Sequence, residues 1–186
     1  MATVAEEVFA IFRKKGETAY YGEPVSQLEH ALQAAQFAEQ QGASETLTVA
    51  ALLHDVGHLL EDIPEDTADL GIDAKHEEIG EKWLAARFSK DVVEPVYLHV
   101  SAKRYLCATD NSYFGKLSPA SVQSLALQGG VMNAEEVLEF ETNEFYRDAV
   151  ALRQYDDQAK IPGLPTRPLE DFEEILTRVA ARRQES

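Results

Sequence analysis

The sequence predicts a single all-α domain over residues 1–186, and three observations predict it. Apolar residues recur at helical spacing through most of the chain. Capping residues and Gly or Pro breakers divide those stretches. No strand-length run alternates apolar and polar residues between turn signals. Internal repeats and low-complexity tracts are absent.

Val4, Val8 and Ile11 fit a short first helix. From Val25 to Gln41 there is no Gly or Pro, and Gly42 stands where a helix C-terminus favours glycine. Ser44 can cap a third helix through Leu47, Val49, Ala50 and Leu53. Gly57, Pro64 and Gly71 then break the chain into a loop, and Ile79, Trp83 and Ala86 place the next helix. Val92, Val96 and Val100 form one stripe of a helix from Asp91 to Tyr105. Ser118-Pro119 has the form of a helix start, and Asn133 with Glu136 resembles a capping box. A helix from Asn143 to Gln158 follows, then a connection from Ile161 to Pro168 with three prolines. Leu169, Phe172, Ile175, Leu176 and Val179 stripe the last helix.

With 45% hydrophobic residues the chain can bury a real core, and its net charge of −16 argues against nucleic acid or an anionic membrane as partner. A small anionic substrate stays compatible, because a few basic residues in a cleft dominate the local field. Cys107 is the only cysteine, which excludes an internal disulfide and a thiolate zinc cluster; it reads as a small buried apolar residue. Met1 to Phe12 carries Glu6 and Glu7 without a long apolar run, and nothing approaches the roughly 20 apolar residues of a membrane span. The expectation is a cytoplasmic protein.

The strongest local signal is His54-Asp55-Val56-Gly57-His58, where the apolar stretch from Val49 to Leu53 ends. Adjacent imidazole and carboxylate can converge on metal where the backbone bends. These ligands suit zinc, iron or manganese, and a carboxylate can bridge two ions. The other histidines are His30, in the preceding helix, His76, opening the following one, and His99, in the next. Successive helices each presenting one imidazole build dinuclear sites in bundle cores. Asp156 offers a closing carboxylate from a late helix. Lys103, four residues beyond His99, can share its helix face and hold an oxyanion. Arg153, three before Asp156, can do the same or pair with that carboxylate. His58 and Ser121 can donate hydrogen bonds to the same anion, while Arg104 should point away as a surface residue.

The chain resembles the HD-domain superfamily and, within it, the small mixed-valent di-iron oxygenases of the PhnZ/TmpB type that cleave carbon–phosphorus bonds. The matching stretches are Tyr20-Tyr21-Gly22-Glu23, Gln27-Leu28-Glu29-His30, His54-Asp55-Val56-Gly57-His58 and His76. They continue through His99-Val100-Ser101-Ala102-Lys103-Arg104-Tyr105-Leu106, Leu117-Ser118-Pro119-Ala120-Ser121, Gln128-Gly129-Gly130 and Arg153-Gln154-Tyr155-Asp156.

The resemblance implies a single HD domain holding two iron ions as an Fe(II)/Fe(III) pair. His30, His54, Asp55 and Asp156 would hold one ion and His76 and His99 the other, with Asp55 bridging. Tyr20 and Glu23 would belong to a mobile catalytic loop whose glutamate occupies an iron position until substrate displaces it. His58, Lys103, Ser121 and Arg153 would bind substrate. The implied reaction consumes O2 and converts a 1-hydroxy-2-aminoethylphosphonate to phosphate and a carboxylate. Two substrates compete: (R)-1-hydroxy-2-(trimethylammonio)ethylphosphonate, giving glycine betaine, and 2-amino-1-hydroxyethylphosphonate, giving glycine. Tyr21 beside Tyr20 tilts the reading to the quaternary ammonium, because aromatic faces suit that cation; the acids Glu29 and Glu39 fit either. An HD-type phosphohydrolase and a metal-free HD regulatory module are the rivals. Oligomeric state is not legible.

Overall fold

The computed structural model describes residues 2–20, 22–61 and 75–185, and among these the regular elements are helices. Tyr21, on which the preference for a quaternary ammonium rests, lies outside them, as do Pro64 and Gly71. The helices are α1 (Val4–Lys15), α2 (Gln27–Gln40), α3 (Glu45–Leu53), α4 (Val56–Leu60), α5 (His76–Ala85), α6 (Lys90–Thr109), α7 (Pro119–Leu127), α8 (Ala134–Glu141), α9 (Tyr146–Gln158) and α10 (Glu173–Ala181).

Their starts follow the predicted capping chemistry, in which a short polar side chain satisfies amide donors that the first turn leaves open. Ser44 caps α3, Ser118 caps α7 with Pro119 at its first position, and Asn133 with Glu136 closes a capping box on α8. Ser26 and Glu29 form another box on α2, which occupies the Glu29 carboxylate; Glu39 is engaged by Arg167. Neither acid is therefore available as the cation partner that the sequence suggests. The stripe of the last helix is realised in full, with Leu169, Phe172, Ile175, Leu176 and Val179 buried. Its first two residues belong to a short 3-10 turn, Leu169–Phe172, leading into α10.

The main core joins α1, α2, α3, α6, α9 and α10. Helix α3 is its apolar centre, buried along its whole length from Thr46 to Leu53. A smaller cluster around Ala102, Met132, Phe140 and Ala149 fastens α8 to α6 and α9. Cys107 is half-buried rather than fully enclosed. Arg104 is not an idle surface residue. It donates to the Gly130 carbonyl at 2.8 Å and pairs with Glu136 at 2.6 Å, which ties the Gly129-Gly130 segment to α8. Both glycines have positive φ, 96° and 71°, where a side chain would be strained.

Gly57 behaves differently from the sequence expectation. It does not break the chain but lies inside α4. A Cβ at this position would stand 2.0 Å from the His76 carbonyl oxygen, so only glycine lets α4 and the start of α5 approach this closely. The HD sequence and His76 are joined by that contact. Gly57→Ala is expected to destabilise the protein by about 1–3 kcal/mol, an overpacking cost that lowers Tm by roughly 2–12 °C. Thermal unfolding checks the first effect, and metal content, falling with His76 displaced, checks the second.

Candidate metal centre

His54 is the last residue of the α3 turn and Asp55 precedes α4; the change of helix axis between them turns both side chains inward. His30 comes from the first turn of α2, His76 from the first position of α5, His99 from α6 and Asp156 from α9. All six are buried. The structure brings them to one place, in two overlapping groups: His30, His54 and Asp55, and Asp55, His76 and His99.

Asp55 lies between the groups. Its Oδ2 is 3.3 Å from His54 Nε2 and 3.6 Å from His30 Nε2, while its Oδ1 is 3.3 Å from His76 Nε2 and 3.5 Å from His99 Nε2. One carboxylate thus presents a different oxygen to each imidazole pair. Asp156 closes the first group, with Oδ1 at 3.5 Å from His30 Nε2.

The far sides of the rings show what the near sides can do. His30 Nδ1 donates to the Ala159 carbonyl at 2.7 Å, His54 Nδ1 to Ala51 at 2.8 Å and His99 Nδ1 to Val96 at 2.6 Å. A carbonyl only accepts, so each Nδ1 carries hydrogen and each neutral ring offers an Nε2 lone pair. His76 Nδ1 instead faces the Glu77 carboxylate at 3.5 Å. The lone-pair nitrogens then face each other, His30 to His54 at 3.0 Å and His76 to His99 at 3.2 Å. At that separation either a proton on one ring or a metal ion must lie with the facing nitrogens. The buried Asp156 Oδ1 also makes no hydrogen bond. These features fit metal ions held by Nε2 and carboxylate oxygen, with the outer nitrogens fixed as metal-binding histidines require.

Electrostatics agree. Burial opposes ionisation of Asp55, but His54 and hydrogen bonds from the surrounding imidazoles hold it well below the usual carboxylate range. Asp156 is likewise kept ionised against burial by Arg153 and Lys160. Burial and then His54 push His30 down to about 4. Burial lowers His54 as well, yet Asp55 drives it up to about 9. One ring of the facing pair is therefore neutral and the other attracts positive charge. Tyr20 covers this group. Its ring stacks on His30 with centroids 3.9 Å apart, and its hydroxyl donates to Asp55 Oδ2 at 2.8 Å. Burial, followed by Asp55 and Asp156, raises the phenol so that it keeps its proton. His58 stacks on His76 at 4.0 Å, and burial holds it neutral.

Beside the imidazoles lies a basic corner between α6, α7 and α9. Lys103 is buried and donates to Ser124 Oγ at 2.7 Å. Arg153 pairs with Asp156 at 2.8 Å and with Asp157, donates from Nε to the Tyr113 hydroxyl at 3.1 Å, and points Nη2 at Ser121 Oγ, 3.5 Å away. Of the two roles that spacing leaves open, the pairing with Asp156 is present, and Nη2 also lies beside Ser121 Oγ. Among the described residues the ion partner of Glu23 is Lys160, 3.6 Å from its Oε1. Sequence reasoning missed Lys160, Ser124, Tyr113 and Asp157. Lys160 and Asp157 had a readable signal, since each stands four residues beyond an inward-facing residue, Asp156 and Arg153.

An HD domain profile matches residues 28–116, which include His30, His54, Asp55, His76 and His99. The chain is 46% identical over 166 residues to a hydroxymethylphosphonate dioxygenase of Gimesia maris, covering 89% of this chain and 82% of the relative. It is 42% identical over 176 residues to the glycine-betaine-forming 1-hydroxy-2-(trimethylamino)ethylphosphonate dioxygenase of Leisingera caerulea, covering 95% and 90%. The chain belongs to this HD-domain dioxygenase family. In this family member the matched HD segment carries the imidazole pairs and Lys103, whereas Ser121, Arg153, Asp156 and Lys160 lie beyond it. No described helix is long and apolar enough to cross a membrane.

Two measurements test the site. Asp55→Asn should lower the metal content of the purified protein several-fold, because both groups lose charge from the shared ligand; elemental analysis reads this. Burial, then Arg153, pushes the Lys103 ammonium down to about 7. Lys103 is therefore charged below that pH and neutral above it. Sulfate affinity should fall as pH rises between about 6 and 9, and Lys103→Met should flatten that fall; calorimetric titration checks both.

Proposed function

We propose that this chain, acting as one HD domain over residues 1–186, is a di-iron dioxygenase that cleaves the carbon–phosphorus bond of a 1-hydroxyphosphonate. The leading substrate is (R)-1-hydroxy-2-(trimethylammonio)ethylphosphonate. Its reaction with one dioxygen gives glycine betaine, phosphate and a proton. The observation that carries this reading is the juxtaposition of two imidazole pairs sharing Asp55 with the Lys103–Arg153–Ser121 corner. It is supported by 42% identity over 95% of the chain to a dioxygenase named for that substrate.

In this reading His30, His54, Asp55 and Asp156 hold one iron, and Asp55, His76 and His99 the other. Iron in a mixed-valent Fe(II)/Fe(III) state supplies the redox chemistry that dioxygen requires; neutral imidazole and carboxylate suit it. The protein's own groups bind and orient. Lys103 and Arg153 take the dianionic phosphonate, with Ser121 and the neutral His58 adding hydrogen bonds, so C1 is directed toward the imidazole cluster. Tyr20 remains protonated and donates to Asp55, fixing the plane of the bridging carboxylate. Glu23 closes the loop end of the cleft. It is held where Gly22, at φ 75°, turns the chain and the Glu23 amide donates to the Tyr20 carbonyl at 2.7 Å.

A second reading, hydroxymethylphosphonate as substrate, is favoured by the relative of that name at 46% identity. Tyr20 also has one ring face committed to His30, so it is not a free platform for a quaternary ammonium. Iron-loaded protein should be assayed with the trimethylammonium, free-amine and hydroxymethyl phosphonates, following dioxygen uptake, phosphate and the organic product. The expected result is one phosphate per dioxygen, with the highest kcat/KM on the trimethylammonium compound. Phosphate release that persists without dioxygen would identify a phosphohydrolase instead.

A further inference from the structure

Lys160 belongs to neither imidazole group, yet three elements of the cleft meet at its ammonium. It stands just past the end of α9, four residues after Asp156, with its side chain largely enclosed. Nζ is 3.2 Å from Ser121 Oγ, 3.6 Å from Glu23 Oε1 and 3.8 Å from Asp156 Oδ1. Both carboxylate oxygens are buried and neither accepts a hydrogen bond. A buried carboxylate oxygen without a donor is costly, and each here has the same cation as its compensation. Asp156 has other support, from Arg153 at 2.8 Å and from the imidazole cluster that its Oδ1 faces. For Glu23 Oε1, Lys160 is the ion partner found among the described residues.

We propose that Lys160 is a shared counter-ion: it holds the Glu23 carboxylate over the cleft and is claimed by an incoming tetrahedral oxyanion at Ser121. The Ser121 hydroxyl is the meeting point, because Arg153 Nη2 and Lys160 Nζ both approach it, at 3.5 and 3.2 Å. An oxyanion there lies within reach of the ammonium that Glu23 uses. One ammonium has three N–H donors and cannot direct them equally at Ser121, Asp156, Glu23 and a new dianion. Since Asp156 is fixed by Arg153, the Glu23 contact yields, and anion binding is coupled to release of the Glu23 carboxylate. Lys160 is thus a positioning and binding residue rather than a catalytic one. The inference rests on the proposed phosphonate chemistry only for the identity of the anion.

The test is a double-mutant cycle on metal-loaded protein, with inorganic phosphate and methylphosphonate, which lacks the hydroxyl group, as probes in calorimetric titrations. Removing the competitor by Glu23→Gln should tighten binding by roughly fivefold, a coupling of about 1 kcal/mol. Lys160→Met should weaken binding of both probes, and Glu23→Gln should then bring no gain. Lys160→Arg, which keeps the charge, should preserve the gain. The Glu23→Gln to wild-type ratio is taken within each Lys160 background, so a loss of metal or stability caused by Lys160→Met cancels. The same gain in the Lys160→Met background overturns the proposal, as does phosphate affinity unaffected by Lys160→Met. The two readings fail separately: coupled anion binding without dioxygen uptake on any hydroxyphosphonate overturns the reaction, and an active dioxygenase with an additive cycle overturns the role of Lys160.

Discussion

Three main-chain carbonyls, those of Ala51, Val96 and Ala159, set the chemistry of this protein. Each accepts from the Nδ1–H of a buried histidine and so turns an Nε2 lone pair into the centre of the bundle. Two of these carbonyls lie three residues before their own histidine, at Ala51 and Val96, so helix geometry alone sets those rings. The third, Ala159, comes from the end of α9 and reaches His30 on α2, so that ring is fixed only when the two helices pack. With these nitrogens facing each other around one carboxylate, the interior is completed by protons or by metal ions that replace them.

The remaining architecture serves that convergence. The apolar α3 fills the core and ends at His54, so the residues at its C-terminus are pressed inward by packing that has nothing to do with metal. Gly57 removes the side chain that would keep α5 away, and His76 arrives as the first residue of the helix thereby admitted. Helix α9 contributes on one face Asp156 to the imidazoles and Arg153 to the basic corner, and just beyond its end Lys160. An acidic protein of net charge −16 can in this way present a local positive field, because buried cations act at short range while exposed acids are screened.

Much of the fold was legible because its signals are local. The caps at Ser44, Ser118 and Asn133 and the apolar stripe from Leu169 to Val179 depend on neighbours within one or two turns, and all are realised. Gly57 was misread for the opposite reason: glycine in a sequence looks like a breaker, and only the His76 carbonyl 2.0 Å from its absent Cβ reveals a packing role. Arg104 was misread similarly, since its partners at Gly130 and Glu136 come from a loop and a helix 26 and 32 residues away. Glu29 and Glu39 look free in the sequence but are occupied by a cap and an ion pair.

The sequence by itself determined the helical class and the supply of ligands. Five histidines, an HD pair and a basic residue one turn beyond His99 are chemical facts that need no coordinates. Tertiary structure alone decided which oxygen of Asp55 meets which imidazole pair, that Arg153 serves Asp156 and Ser121 together, and that Glu23 faces Lys160. The physical reason is range. Residue type and helical period act over a few residues, whereas a binding cleft is built from contacts more than a hundred residues apart, such as His30 with Ala159 and Glu23 with Lys160.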